Sequence, residues 1–501
     1  MPQHETDALI IGTGFGAAAP ALRLAQAGLK VTLLEKGPRI DPFKDFRQTS
    51  DPEYVMRYLK GLSGDHLALT YAEALGGGSG FYEMVSLRAP SRVFDQVDEH
   101  GRRLWPAGID RAALDPYYDI AERMLHVTQI PVEQVPKTGL VFATMMKRLG
   151  YSCDRARYAE RGCVGSGFCV TGCIYAAKQS LLLNYLPQAV AAGATIETDV
   201  EALHIAPVHP RFAAPYRYEV QCRKRGSADI ITYRTRILIL GGGTIGTARL
   251  LLASRDRLPF LSAQLGHNIA FNGSVKAAAL LADDLPDGDM FTGRTHPGMI
   301  SYQFLESHGV TVSAAKAMPL ELVAGIRLRV EADRRRPSWW GERNVELMEQ
   351  CRHRLIALYA MGLTPPSARL SIANDGSCIV SLEPTAALRD YHERTEELLQ
   401  SILMRNGCRL VDVEFVNRRR TAWRPVFLDR ASGGVVPHGG LPRARRCHGG
   451  RRSVRLSGPL HQRRLSDSVV PRREHEPHDP GKCGADCRRN RVVQKRGVKH
   501  D

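Results

Sequence analysis

Residues 7–17 read Asp7-Ala8-Leu9-Ile10-Ile11-Gly12-Thr13-Gly14-Phe15-Gly16-Ala17, and residues 30–35 read Lys30-Val31-Thr32-Leu33-Leu34-Glu35. The apolar run 7–11 predicts a short strand buried on both faces, and it breaks into glycines. Residues 17–27 form an Ala- and Leu-rich helical stretch that stops at Gly28, a natural helix end. Residues 30–35 predict a second buried strand, so the chain opens as strand, turn, helix, strand, the start of a parallel sheet. The turn fits G-x-G-x-x-(G/A). Gly12 permits the tight turn, Gly14 lets the backbone approach a pyrophosphate, and the small Ala17 lets helix and strand pack closely. Phe15 and Gly16 open a helix whose N-terminal N–H groups and dipole favour phosphate. Glu35 lies 21 residues beyond Gly14, where a carboxylate can accept hydrogen bonds from a ribose diol. Together these residues predict a dinucleotide site and leave NAD and FAD both open.

Two further glycine clusters extend the pattern. Leu75-Gly76-Gly77-Gly78-Ser79-Gly80-Phe81-Tyr82 can lie flat against a planar or phosphorylated ligand. Gly241-Gly242-Gly243-Thr244-Ile245-Gly246-Thr247 follows a second apolar strand, residues 236–240, and precedes a helical stretch, 245–253. Two of the three clusters therefore sit at strand C-terminal ends, which predicts a long ligand lying across the sheet. Elsewhere, 108–126, 139–149 and 180–192 read as helical. Residues 195–205, 216–222 and 230–235 read as an antiparallel meander. Residues 270–415 mix strand-like and helical pieces, and no internal repeat is present.

The eleven cysteines are an odd number scattered through a long chain, which argues against a secreted disulfide framework. Cys163, Cys169 and Cys173 fall close together, with Cys153 as a possible fourth partner. The spacing could suit an iron–sulfur or zinc site, but only three ligands lie close together and the fourth would be remote, so small buried packing residues are the better reading. Apolar runs such as residues 277–282 are far shorter than the ~18 needed to cross a bilayer. The first residues lack a basic segment followed by a long apolar one, so a cytoplasmic protein with no transmembrane segment is expected.

The chain has 501 residues, 43% hydrophobic, with 69 Lys and Arg against 52 Asp and Glu, a formal charge of +17. Such a charge invites a nucleic-acid hypothesis, but its distribution argues otherwise. Residues 418–501 hold 22 basic and 7 acidic residues, a net of +15, which leaves +2 for the first 417. From Leu428 onward there is no Phe, Trp, Tyr, Ile or Met. A basic end without stacking aromatics is a poor nucleic-acid surface, and no nucleic-acid partner is expected.

Taken together, these motifs resemble the glucose-methanol-choline (GMC) family of oxidoreductases, nearest its bacterial cholesterol-oxidase-like branch. The matching stretches are 8–37, 75–90, Trp105-Pro106 with Asp115-Pro116-Tyr117-Tyr118, Gly172-Cys173 with Ala177-Lys178-Gln179-Ser180, 243–254 and 265–268. A second family signature, G-x-x-x-(S/T)-P-x-L-L-x-x-S, is met by Gly243, Thr247, Leu250, Leu251 and Ser254, and departs at Ala248. The resemblance runs in order to about residue 270 and is diffuse from there to 417. It implies an α/β fold, with a Rossmann-like FAD-binding domain (1–270) around a parallel sheet and a mixed α+β substrate domain (271–417).

The implied cofactor is FAD, with Gly12, Gly14 and Glu35 on its ADP half. Phe15, Gly16, Ala17, Lys36, Gly242, Gly243 and Thr247 would complete that side. Gly77, Gly78 and Ser79 would lie along the pyrophosphate and flavin, Tyr82 near the flavin, and the backbone near Ala202 against the adenine. The implied reaction is oxidation of an alcohol CH–OH, sterols among the candidates, by hydride transfer to the flavin. Oxygen or an unidentified carrier would then accept the electrons. An alternative within the family's chemistry is a sugar or polyol dehydrogenase with an iron–sulfur cluster at Cys163, Cys169 and Cys173. Another is a flavin-binding chain without catalysis.

The family's general base is a histidine in a C-terminal His-Pro, followed by Gly-Gly-Cys-Arg-Met and later by Asn-Pro. None of these is written here, and Pro437-His438-Gly439-Gly440 lacks the surrounding pattern. No catalytic residue is therefore assigned. Reading each codon as two bases of one residue plus the first of the next gives a different result. Asp429-Arg430-Ala431-Ser432 can then read Thr-Val-His-Pro, and Val436-Pro437-His438 can read Cys-Arg-Met. Arg455-Leu456-Ser457 can read Gly-Tyr-Pro, and His475-Glu476-Pro477 can read Met-Asn-Pro. Four motifs in order and in one frame point to a one-base shift starting between residues 417 and 428. Residues 418–501 are accordingly expected to be disordered or misfolded, and the chain as written inactive.

Overall fold

The apolar run before Gly12 lies in the middle of a six-stranded sheet. Its strands are β1 (Gln3–Ile11), β2 (Val31–Leu34), β3 (Thr195–Glu197), β4 (Val200–Pro207), β5 (Tyr218–Lys224) and β6 (Ile230–Leu240), in the order β3-β2-β1-β6-β5-β4. The first four in that order are mutually parallel, and β5 and β4 add an antiparallel meander beyond β6. The computed structural model describes residues 3–49, 51–64, 67–97, 100–209, 215–315, 326–330, 342–374, 376–415 and 427–430.

β1 is covered on both faces. Ala8 and Ile10 pack on Ala17, Ala18, Ala21 and Leu22 of helix α1 (Phe15–Gln26), while Leu9 packs on Val200, Ile205 and Val220 of the meander. This double burial is why the strand reads as a continuous apolar run instead of an alternating one.

A second sheet of seven strands is antiparallel throughout. Its order is Ile326–Val330, Arg409–Phe415, Val275–Leu280, Leu355–Gly362, Val310–Ala315, Met299–Ser301, Asp154–Arg155. Its core joins Val312, Ile356 and Leu358 to Phe142, Met145 and Met146 of helix Lys137–Arg148. Leu399, Ile402 and Leu403 of helix Ala386–Arg405 complete it.

The structure corrects three boundaries. Residues 230–240 form one strand, not two, because β6 pairs with β1 from Thr232 to Leu240, while β5 lies along its other edge only as far as Thr235. Residues 195–205 are two strands parted at Asp199, whose φ of 60° turns the chain. Residues 180–192 begin as a 3-10 turn, Leu181–Leu183, and become α-helical only at Tyr185, whose N–H donates to the Asn184 side chain. Of the basic end, Phe427–Arg430 pairs in parallel with Leu67–Ala72. His438 and residues 431–501 lie outside the described residues. Among the described residues no helix is long and apolar enough to cross a membrane.

Candidate cofactor-binding site

Gly12 leaves β1 with φ +97°, and a Cβ there would stand 2.5 Å from the Gly241 carbonyl oxygen. Only glycine fits such a position. The turn is pinned by Gly12 N–H donating to Leu34 O (2.7 Å) and Gly241 N–H to Ile11 O (2.7 Å). Gly241 itself approaches α1 so closely that a Cβ would lie 2.6 Å from that of Ala17. The first and third glycine loops therefore touch backbone to backbone. The second joins them from the other side, since a Cβ on Gly77 would lie 2.9 Å from Gly14 Cα. The first loop thus touches the third at Gly12, Gly16 and Ala17, and the second at Gly14.

The N-terminus of α1 is left bare. Gly14 is its cap residue, no side chain bonds its first turn, and no acidic residue lies in that turn. Helix Gly243–Ala253 begins the same way at Gly242, near Thr247. Exposed N–H groups at the ends of helices, framed by glycines, are what an anionic pyrophosphate requires.

Thr13 occupies a variable position of the glycine motif, where the pattern assigns no role, and it is fully buried. Its hydroxyl donates to Glu35 Oε2 (2.6 Å) and accepts from Gly76 N–H (2.9 Å), tying the first turn, the second strand end and the second loop together. Glu35 Oε1 accepts from Gly37 N–H (2.9 Å). Burial raises the carboxyl's pKa, while the bonds from Thr13 and Gly37 oppose that rise. Each oxygen keeps a second lone pair for a ribose hydroxyl. Ser79 is buried inside the second loop, donating to Gly76 O (2.7 Å) and accepting from Leu181 N–H (3.1 Å).

Lys36 turns to Glu73 (3.0 Å) and Glu201 (3.5 Å), so its charge is engaged in ion pairs. Ala202 follows Glu201 on β4, opposite Cys222 of β5. Tyr82 sets its ring edge-on to Phe15, centroids 5.5 Å apart, and its hydroxyl oxygen is buried without a partner among the described residues. A glycine cradle, bare helix ends and this orphaned hydroxyl fit a bound dinucleotide.

Lys178, quoted in the family pattern without a role, is the second residue whose part sequence reading missed. It is buried behind the second loop, with Nζ donating to Gly80 O (2.5 Å), Cys169 O (2.6 Å) and Tyr82 O (3.3 Å).

Cys163, Cys169 and Cys173 line a cavity of about 10 Å³, and among the described residues no three His, Cys, Asp or Glu side chains are placed to hold a metal ion. Burial pushes the Cys163 thiol up to about 11. Beyond them, Arg294 grips Glu160 with both guanidinium arms. Tyr158 Oη meets His296 Nδ1 at 2.6 Å, with Ser313 Oγ 3.2 Å from Nε2.

The sheet order, the bare helix and the meeting glycine loops belong to a two-sheet fold with a parallel α/β half and an antiparallel half. The GMC oxidoreductase family model matches residues 6–268, and the chain belongs to that family. It is 31% identical over 337 residues to a cholesterol oxidase of Mycobacterium tuberculosis (strain H37Rv), covering 58% of this chain and 56% of that protein. It is 29% identical over 334 residues to an uncharacterised GMC-type oxidoreductase of the same organism, covering 62% and 48%. The chain thus spans about half the length of these curated relatives. The crystal structure of pyridoxine 4-oxidase from Mesorbium loti shares the fold, with a TM-score of 0.53 at 13% identity over 83% of this chain and 84% of that one.

Proposed function

We propose that this chain holds FAD along its three glycine loops and derives from an enzyme that oxidises the CH–OH group of alcohols, sterols included. The meeting of the second and third loops with residues 12–17, at the bare end of α1, carries the reading. Gly12, Gly14, Phe15, Gly16 and Ala17 would take the pyrophosphate, Glu35 a ribose, and the backbone at Ala202 the adenine. Gly242, Gly243 and Thr247 would flank the ADP half, with Gly77, Gly78, Ser79 and Tyr82 toward the flavin. Lys36 would act at the rim through its ion pairs. When bound, the flavin supplies the hydride acceptor. The chain's own loops exclude water and orient that ring, while a histidine must take the hydroxyl proton. The similar proteins, a cholesterol oxidase and a long-chain-alcohol oxidase among them, support the alcohol class. The division at about residue 270 is supported by the sheets. The first draws every strand from residues 3–240, and the second draws six of its seven from 275–415.

We further infer that residues 418–501 are out of frame and that the missing base is the histidine which the shifted frame places at codon 431. The test is to sequence the gene and express two chains, one as given and one with a single-base change between codons 417 and 428. The restored chain should purify yellow and bleach anaerobically with cholesterol or a long-chain alcohol. Its reoxidation rate in air separates an oxidase from a dehydrogenase. The chain as given should retain FAD weakly and stay oxidised. Bleaching of the chain as given would overturn the frame reading, and absence of flavin from both would overturn the FAD reading.

A further inference from the structure

Lys178 is an unusual way to bury a charge. Its side chain lies out of water, and its three hydrogen bonds all end on uncharged backbone carbonyls. Two of those carbonyls, Gly80 and Tyr82, belong to the second glycine loop, and the third, Cys169, to the turn Cys169–Thr171. An ammonium has three N–H donors, one for each. The next residues reinforce the same loop, because Leu181 N–H bonds Ser79 Oγ, which in turn bonds Gly76 O. The Tyr82 ring stands 5.8 Å from Nζ, close enough for its face to attract the cation. In a planar peptide C=O and N–H point oppositely, so carbonyls drawn in toward Nζ fix which way the following N–H groups face.

We propose that Lys178 is a positioning residue: its three carbonyl bonds lock the loop of residues 76–82 into the shape that receives the cofactor and place a fixed positive charge behind it. The part about the cofactor rests on the FAD reading above, whereas the part about the loop does not.

The ammonium's protonation gives a handle. Burial lowers the Lys178 pKa to about 8, against the charges of Cys169, Cys173 and Glu83, which raise it. These are the titratable groups that face it. A neutral amine has two donors for three carbonyls, so raising the pH should release one of them.

The experiment is amide hydrogen exchange on the full chain without cofactor, comparing wild type with Lys178→Met, followed by titration of both with FAD. The variant should exchange at least tenfold faster at 76–82 and 168–171, with the amides of β1 and β6 unchanged. It should also bind FAD at least tenfold more weakly. Unchanged exchange in the loop would overturn the proposal. If the variant loses protection everywhere, wild type alone decides. A selective loss of loop protection between pH 7 and 9.5, after correction for intrinsic exchange, supports the clamp, and its absence overturns it. A looser loop in a protein whose wild type takes up no FAD leaves the clamp standing and overturns the FAD reading instead. Equal FAD affinity despite a looser loop overturns the link to the cofactor.

Discussion

The loops around Gly14 and the buried wall around His296 are held in place by opposite means. Around Gly14 the contacts run backbone to backbone, Gly12 against Gly241 and Gly14 against Gly77, with Thr13 as the side chain that joins them. Around His296 they run side chain to side chain, from Arg294 to Glu160 and Gln134, and from Tyr158 through His296 to Ser313. The first kind of order fails when atoms are added. The second fails when a partner is taken away. A surface built of backbone can face another molecule, whereas a closed set of side-chain pairs already satisfies itself.

The largest effect should come from breaking the wall. Arg294 is 2% exposed and Glu160 7%. Glu160→Ala would strand a buried guanidinium, and removing one partner of such a pair costs about 3–5 kcal/mol. Urea unfolding should show a lower midpoint with an unchanged slope. A loss under about 1 kcal/mol, the range of an exposed pair, would mean the pair is open to water.

Acid should reach the same wall next. Burial lowers the His296 pKa to about 4, below its ordinary 6.5. Between these values the unfolded chain binds the proton and the folded one does not, so stability falls as pH drops from about 6.5 toward 4. The full window corresponds to about 3 kcal/mol. The check is denaturant unfolding from pH 7 to 4 for wild type and His296→Gln, and a slope equal in both would assign the acid sensitivity elsewhere.

The same contrast explains what was legible in the sequence. A glycine that must have positive φ, or must let another backbone approach, declares itself at its own position. The turn at Gly12 and the loops at Gly77 and Gly242 could therefore be placed in advance. So could β1, whose burial on both faces writes the unbroken apolar run 8–11, and β2, where Thr32 is the one polar residue of Val31–Leu34. The wall could not be read, because Arg294 and Glu160 are 134 positions apart and Tyr158 and His296 are 138. Lys178 stood in plain view within Ala177-Lys178-Gln179-Ser180. What it does depends on carbonyls 96 and 98 residues away, which carry no side-chain signal. The continuity of β6 carries no local signal for a related reason: the strand loses β5 after Thr235 but keeps β1 beside it, which leaves no mark between Thr235 and Arg236.

On the loop side the sharper test adds a single methyl. Gly241 has an ordinary backbone conformation, so Gly241→Ala brings only volume, aimed at Ala17 Cβ 2.6 Å away. Overpacking of this kind costs about 2–3 kcal/mol and pushes α1 from the sheet. The thermal midpoint should fall, and FAD affinity should fall with it. If stability drops while affinity holds, the first and third loops do not form one cofactor surface.

The smallest effect tests the one side chain that joins the loops. Thr13→Val keeps the shape but removes a hydroxyl that both donates to Glu35 and accepts from Gly76. The Gly76 N–H would be left without its acceptor, a penalty of about 1–2 kcal/mol. Glu35, already raised by burial, would lose one of the two bonds that hold its charge, so its pKa should rise further. Thr13→Ser should restore both bonds. If the loops are ordered by backbone contact alone, valine and serine will behave alike in unfolding and in FAD titration. If Thr13 is the tie, serine will track wild type and valine will not. That outcome would make the loop side depend, at this one residue, on the same partner-by-partner logic as the wall.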